Sequence, residues 1–216
     1  MRVLGIDLSF SPGVAIVDKT GLVVSDSIQT TAEQPWGERV EIIKDLVIRF
    51  AQSSDVIYME NYAYNAKFGR EVLGELGGVI KWYLTLHNKE IKRLIAPTQI
   101  KKFATGRGRA PVVPVGEAKS TWGKKWMINE VNKNFGQGFK IHDEADAFMV
   151  ATVGLTLESI EAEVLDVSTL PKHQQAVVRK ILRGNEKDGR KNNTKGGSRK
   201  QSGKRGRGNS KKSGRA

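Results

Sequence analysis

Two carboxylates in the 216-residue chain stand where an unpartnered carboxylate would be costly, and two more share one face of a helix start. Asp7 ends the apolar run VLGIDL, and Glu60 closes a second one, DVIYME. A buried ionised carboxylate is expensive unless it is paired or binds a metal. Each alone also has a simpler account. Asp7 can hydrogen-bond the Ser-rich turn that follows it, and Glu60 can face solvent at the mouth of a sheet. Asp143 and Asp146 belong to the segment HDEADA, residues 142–147. Their i, i+3 spacing puts them on one helix face near its positive end. Asp143 also fits an N-cap, with Asp146 as a weak capping-box partner. Small Ala145 and Ala147 would let such a helix press closely on a sheet. His142 is a possible further ligand, although a lone His at a helix start is more often structural or solvated. All-oxygen donors suit a hard cation, Mg²⁺ or Mn²⁺. Two such ions can activate water and stabilise the leaving oxygen of a phosphodiester.

The elements that must position these residues follow from hydrophobic periodicity. Val3–Leu8, Gly13–Asp18 and about Leu22–Gln29 read as strands joined by short turns, an antiparallel meander. Val40, Ile43, Leu46, Val47 and Phe50 recur at helical spacing, so a helix is expected over Pro35–Gln52. Asp55–Glu60 returns to strand character, Gly69–His87 to helix, and Ile91–Ile95 to strand. Gly74, Gly77 and Gly78 in the second helix permit close backbone approach. Pro97–Phe103 reads as a short helix with Pro in its first turn. A Gly-, Pro- and Arg-rich loop, Thr105–Gly116, precedes two more helices over Glu117–Phe135 and Asp143–Leu157. The order implies an α/β fold: a five-stranded mixed sheet, its first three strands antiparallel, with helices on both faces.

The absence of cysteine excludes disulfides, thiolate-bound zinc and cysteine nucleophiles. The net charge of +13 is confined to one end. Residues 172–216 hold 16 Lys and Arg against two acids, so residues 1–171 are nearly neutral. A basic tail of this kind commonly meets nucleic acid. Pro171–Leu182 reads as a short basic helix with Val177, Val178, Ile181 and Leu182 as its apolar patch. From Gly184 onward no Val, Ile, Leu, Met or aromatic residue occurs. Such a segment cannot offset ordering entropy and is expected to be disordered when free. The expected domains are therefore 1–170, a helix over 171–183, and a tail over 184–216. No signal-peptide pattern and no membrane-length apolar run is seen, so a soluble cytoplasmic protein with no membrane partner is expected.

These segments together resemble the RuvC family of Holliday junction resolvases, with an RNase H-like core. GIDLSFSPGVAIVD looks like the family's first-strand motif, VIYMENYAYN like its strand-end Glu segment, and LGELGGVIKWYL like the helix that follows. IAPTQIKKFATGRGRA with GEAKSTWGKKWM resembles its strand, loop and Lys-bearing helix, and HDEADAFMVA its closing D-x-x-D-A helix. The resemblance covers about residues 1–157. It implies that Asp7, Glu60, Asp143 and Asp146 coordinate two Mg²⁺ ions, with Mn²⁺ as a substitute, and that Lys119 lies near the scissile phosphate. It further implies a homodimer that nicks opposing strands of a four-way DNA junction. Tyr62 or Tyr64 could reach the junction centre; a core Tyr is equally compatible.

Leu8-Ser9 stands where many members carry Pro-Gly, and the Glu60 segment is one residue short. The Arg107 and Arg109 loop suits phosphate contacts, or is a plain surface loop. Lys124 and Lys125 could face DNA or water, on a helix whose Trp122 and Trp126 are expected in the core. The basic tail lies outside the resemblance, and the compact body with its added tail has the look of a bacteriophage member, which would act in the cytoplasm of a bacterial host. Rival readings are a nuclease of this fold acting on other branched DNA or RNA, and a non-catalytic DNA-binding protein. An actin-like ATPase fragment fits least, since no second phosphate loop is found; no nucleotide cofactor is expected.

Overall fold

The structure is a computed structural model that describes residues 1–61 and 70–193. Five strands and six α-helices are present among them: β1 Val3–Asp7, β2 Gly13–Asp18, β3 Gly21–Ser27, α1 Trp36–Gln52, β4 Val56–Glu60, α2 Arg70–Leu86, β5 Ile91–Ile95, α3 Pro97–Thr105, α4 Lys119–Phe135, α5 His142–Glu161 and α6 Lys172–Asn193. The strands form one sheet in the order β3-β2-β1-β4-β5. β1, β2 and β3 pair antiparallel, whereas β4 pairs parallel with β1 and β5 parallel with β4. The expected mixed sheet is therefore the observed one.

Side-chain alternation assigns its two faces. Leu4, Ile6, Val14, Ile16, Ile57 and Met59 point to one face and form a core with α1 and with Leu76, Ile80 and Leu84 of α2. The intervening positions point to the other face, which α5 covers. There the backbone comes unusually near. A β-carbon at Gly5 would lie 2.2 Å from the Ala147 carbonyl oxygen, and one at Gly13 would lie 1.9 Å from that of Asp143. Only glycine admits a helix this close. Gly74 and Gly78 of α2 play no such part within the chain, because each has open space where a side chain would be, while Gly77 is buried.

Helix α3 ends at Gly106, whose φ of 76° is a left-handed cap that favours glycine. The chain divides into two units, Met1–Ile181 and Leu182–Ala216. Val177, Val178 and Ile181 are buried within the first, so the opening turns of α6 belong to the fold. Helix α6 also continues ten residues past the expected end at 183, to Asn193. The rest of the expected tail, 194–216, lies outside the described residues. Among the described residues no helix is long and apolar enough to cross a membrane.

Candidate active site

Asp7 and Glu60 end two adjacent parallel strands. The register pairs Gly5 with Tyr58 and Ile6 with Met59, so the next step sets Asp7 beside Glu60. Both lie in the alternation that faces α5, whose first two turns carry Asp143 and Asp146. The contacts at Gly5 and Gly13 hold the start of that helix down over the strand ends.

The proposed capping role for Asp143 is not what the structure shows. The N-cap of α5 is Ile141, with no side-chain capping hydrogen bond. Helix α5 thus begins one residue earlier than expected, and both aspartates are free for other partners. Glu144, between them, points away: it accepts hydrogen bonds from Ser25 Oγ (2.6 Å) and Ser27 Oγ (3.1 Å), tying α5 to β3. His142 lies against both aspartates. Its Nδ1 is 3.4 Å from Asp143 Oδ1 and its Nε2 is 3.2 Å from Asp146 Oδ2.

The electrostatics are those of crowded anions. Burial, then repulsion from Asp146 and Asp143, pushes the Asp7 carboxyl up to about 7. Glu60 is raised well above the usual range by burial, then by Asp7 and Asp146. Burial also raises Asp146, which is 5% exposed, against the pull of His142, Lys101 and Lys124. Burial acts upward on Asp143 too, but the His142 hydrogen bond, Lys124 and Gln29 hold it below the usual range. Asp146 Oδ1 is buried with no hydrogen-bond partner.

A hard divalent cation fits this donor set. Four carboxylates, three of them raised in pKa first of all by burial, and one orphaned buried oxygen are the chemistry such an ion would satisfy. Among the described residues no three His, Cys, Asp or Glu side chains are gathered in ligating geometry, so the fit rests on donor chemistry and charge.

The residue that spacing did not single out is Lys101. It is the cation that acts on Asp7, Glu60 and Asp146 alike. Its signal was topological. β5 runs parallel to β4, and Asn61 N–H donates to Ile95 O (2.8 Å), so the helix after β5 begins at the same rim as Glu60. In parallel sheets ligand sites gather beyond the carboxyl ends of the strands.

Lys119, the first residue of α4, lines with Lys101, Arg109 and Trp122 an adjoining cleft of about 450 Å³. Arg107 and Arg109 are exposed on their loop. Lys124 is exposed and acts on Asp143 and Asp146; Lys125 pairs with Glu117 at 2.8 Å. Trp126 is buried as expected, while Trp122 is only half-buried. Tyr62 and Tyr64 lie outside the described residues.

A mixed sheet with an antiparallel hairpin edge, carboxylates at two parallel strand ends and a closing helix that brings more acids over them make this an RNase H-like fold. The chain superposes on the Thermus thermophilus RuvC structure with a TM-score of 0.55 and 20% identity, covering 76% of this chain and 98% of that one. It superposes on Thermus thermophilus RuvC in complex with a Holliday junction substrate with a TM-score of 0.54 and 18% identity, covering 76% and 97%. The sequence matches no protein-family model and no curated protein.

Proposed function

We propose that the chain is a Mg²⁺-dependent endonuclease that resolves four-way DNA junctions by paired nicks. The observation that carries this reading is the convergence of Asp7, Glu60, Asp143 and Asp146 on the α5 side of a RuvC-type sheet, with too little positive charge to balance them. Asp7, Glu60, Asp143 and Asp146 would hold two Mg²⁺ ions, with Mn²⁺ as a substitute. Bound there, the metal would activate water and stabilise charge on a phosphodiester. Asp7 and Glu60, on strands, and Asp143 and Asp146, on a helix pressed against them, would supply ligands from rigid elements. His142 orients the two aspartates through its contacts with both. Lys101 and Lys119 offset phosphate charge at the mouth of the site, and Arg107, Arg109, Lys124 and Lys125 extend the basic surface along the DNA backbone. Tyr62 or Tyr64 would meet the junction centre.

Paired nicks call for two copies of the site, hence a homodimer. The exposed side of α2 supports one: Val72, Trp82 and Leu86 are exposed, with Gly74 and Gly78 leaving room for close approach. The residues beyond Leu182 would add salt-sensitive affinity for DNA of any sequence.

The test is incubation with a labelled four-way junction and Mg²⁺, beside linear duplex and an Asp146→Asn control. Symmetric nicks in the junction alone, absent in the control, are expected. Equal cutting of linear or other branched DNA would keep the metal site and remove junction selectivity. Tight binding without cutting in Mg²⁺ or Mn²⁺ would overturn the enzyme reading.

A further inference from the structure

The cleft beside the carboxylates has a composition that backbone binding alone does not require. Three of its walls carry cations, Lys101 from α3, Arg109 from the loop and Lys119 from α4, and among the described residues no acid lines it. The rest is mainly apolar, with Trp122 and Trp126 one helical turn apart. Trp122 is held in place: its indole N–H donates to Pro111 O at 3.3 Å. This bond also ties the Arg-bearing loop to α4. A half-buried indole held at a cleft wall has little rotamer freedom left to lose when a flat ring settles on it. A cleft of about 450 Å³ falls within the size range of small-ligand sites.

The geometry points to a pocket for one unstacked nucleotide of the DNA strand, its base against Trp122 and its phosphates toward Lys101, Arg109 and Lys119. The inference deepens the nuclease reading and rests on it for the identity of the polymer. Lys101 belongs to both places, acting on Asp7, Glu60 and Asp146 while lining the cleft. A nucleotide seated here would therefore adjoin the scissile phosphate. Drawing one base out of the stack costs less at a branch point than in a continuous duplex. The pocket would thus favour strands near a junction.

The experiment uses the full chain with a chelator present, so that nothing is cut. Fluorescence anisotropy compares a labelled short thymidine oligonucleotide with an abasic strand of equal length. The wild-type chain is expected to bind the base-bearing strand roughly tenfold more tightly, the scale of one base–aromatic stack. Trp122→Ala should erase that preference and Trp122→Phe should keep most of it. Gly123→Leu is the second blocking variant. Gly123 lines the cleft and has open space where a β-carbon would go, so the new side chain fills the slot without disturbing the fold. Arg109→Ala should weaken both strands alike and reduce the salt dependence.

Equal affinity of the wild-type chain for the two strands would overturn the pocket, as would a base preference that survives Gly123→Leu. Junction nicking separates this failure from the other. Nicking without base preference removes the pocket and leaves the nuclease, whereas base preference without nicking does the reverse.

Discussion

Helix α5 meets the sheet with acids at both ends, and the two ends are balanced in opposite ways. At its carboxyl end Glu158 accepts from Tyr58 OH (2.6 Å) and pairs with Lys92 (2.5 Å), while Glu161 pairs with Lys92 and Arg93, both at 2.9 Å. Burial works upward on Glu161, yet Lys92 and Arg93 hold its carboxyl below the usual range. Burial and the Glu158 hydrogen bond push the Tyr58 hydroxyl up, so it stays a donor. At the amino end Asp143 and Asp146 join Asp7 and Glu60, and the sum of His142, Lys101 and Lys124 does not offset them. Both clusters sit on the same helix and on neighbouring strands. Acids matched one for one by cations tie elements together. Acids left in excess mark a place where a cation from outside belongs.

The comparison can be broken most forcefully at Asp146. Asp146→Asn should lower junction nicking by about a thousandfold, the scale of losing one preorganised electrostatic group. The same change should raise the stability of the metal-free chain by on the order of 1 kcal/mol, since it removes a charge that burial penalises. Nicking assays and urea melts in a chelator check the two signs. A fall in both would mean that the amino-end acids are structural.

The acid-rich end should also show itself in pH. Asp7 rises from 3.8 to about 7 on folding. A carboxyl raised in the folded state binds its proton more tightly there than in the unfolded chain. Its contribution is therefore fully present below about pH 4 and is lost as pH rises toward 7. Metal-free stability should fall across that window, and Asp7→Asn should flatten the fall. Added Mg²⁺ should restore stability near pH 7, by binding the folded state alone.

At the balanced end the expected effects are smaller and of one sign. Glu158→Gln removes one of the two carboxylates that pair with Lys92, the Glu158 side chain being 11% exposed, and should cost about 1–3 kcal/mol with nicking unchanged. Tyr58→Phe deletes one hydrogen bond and should cost about 1 kcal/mol. Thermal melts beside nicking rates measure both. A nicking defect in either variant at a temperature where it remains folded would blur the distinction between the two ends.

Much of this was legible in the chain. Hydrophobic period placed every strand and the five helices before α6 within about two residues of their ends, apart from α5, which runs on to Glu161. It did so because the strand faces and helix stripes are strongly patterned. Asp7 and Glu60 showed themselves by being charged at the ends of apolar strands, and the Asp143 and Asp146 pair by its spacing. The reading of α5 failed by one residue at its cap. Ile141 offers no side-chain oxygen there, and the first turn of the helix lies close against Gly13, from a strand more than a hundred residues away.

What sequence alone determined was which residues are apolar at period 2 or 3.6, which carboxylates interrupt them, and that the excess positive charge lies in the last 45 residues. These are properties of neighbours in the chain. Tertiary structure alone decided that β4 lies against β1 and so brings Glu60 beside Asp7. It decided that Glu144 serves β3 while Asp143 and Asp146 meet His142, that Lys101 acts on the carboxylates, and that Trp122 walls a cleft instead of filling the core. The physical reason is common to all four. Charge balance and burial are sums over groups that only the fold brings together, and local pattern carries no record of those distances.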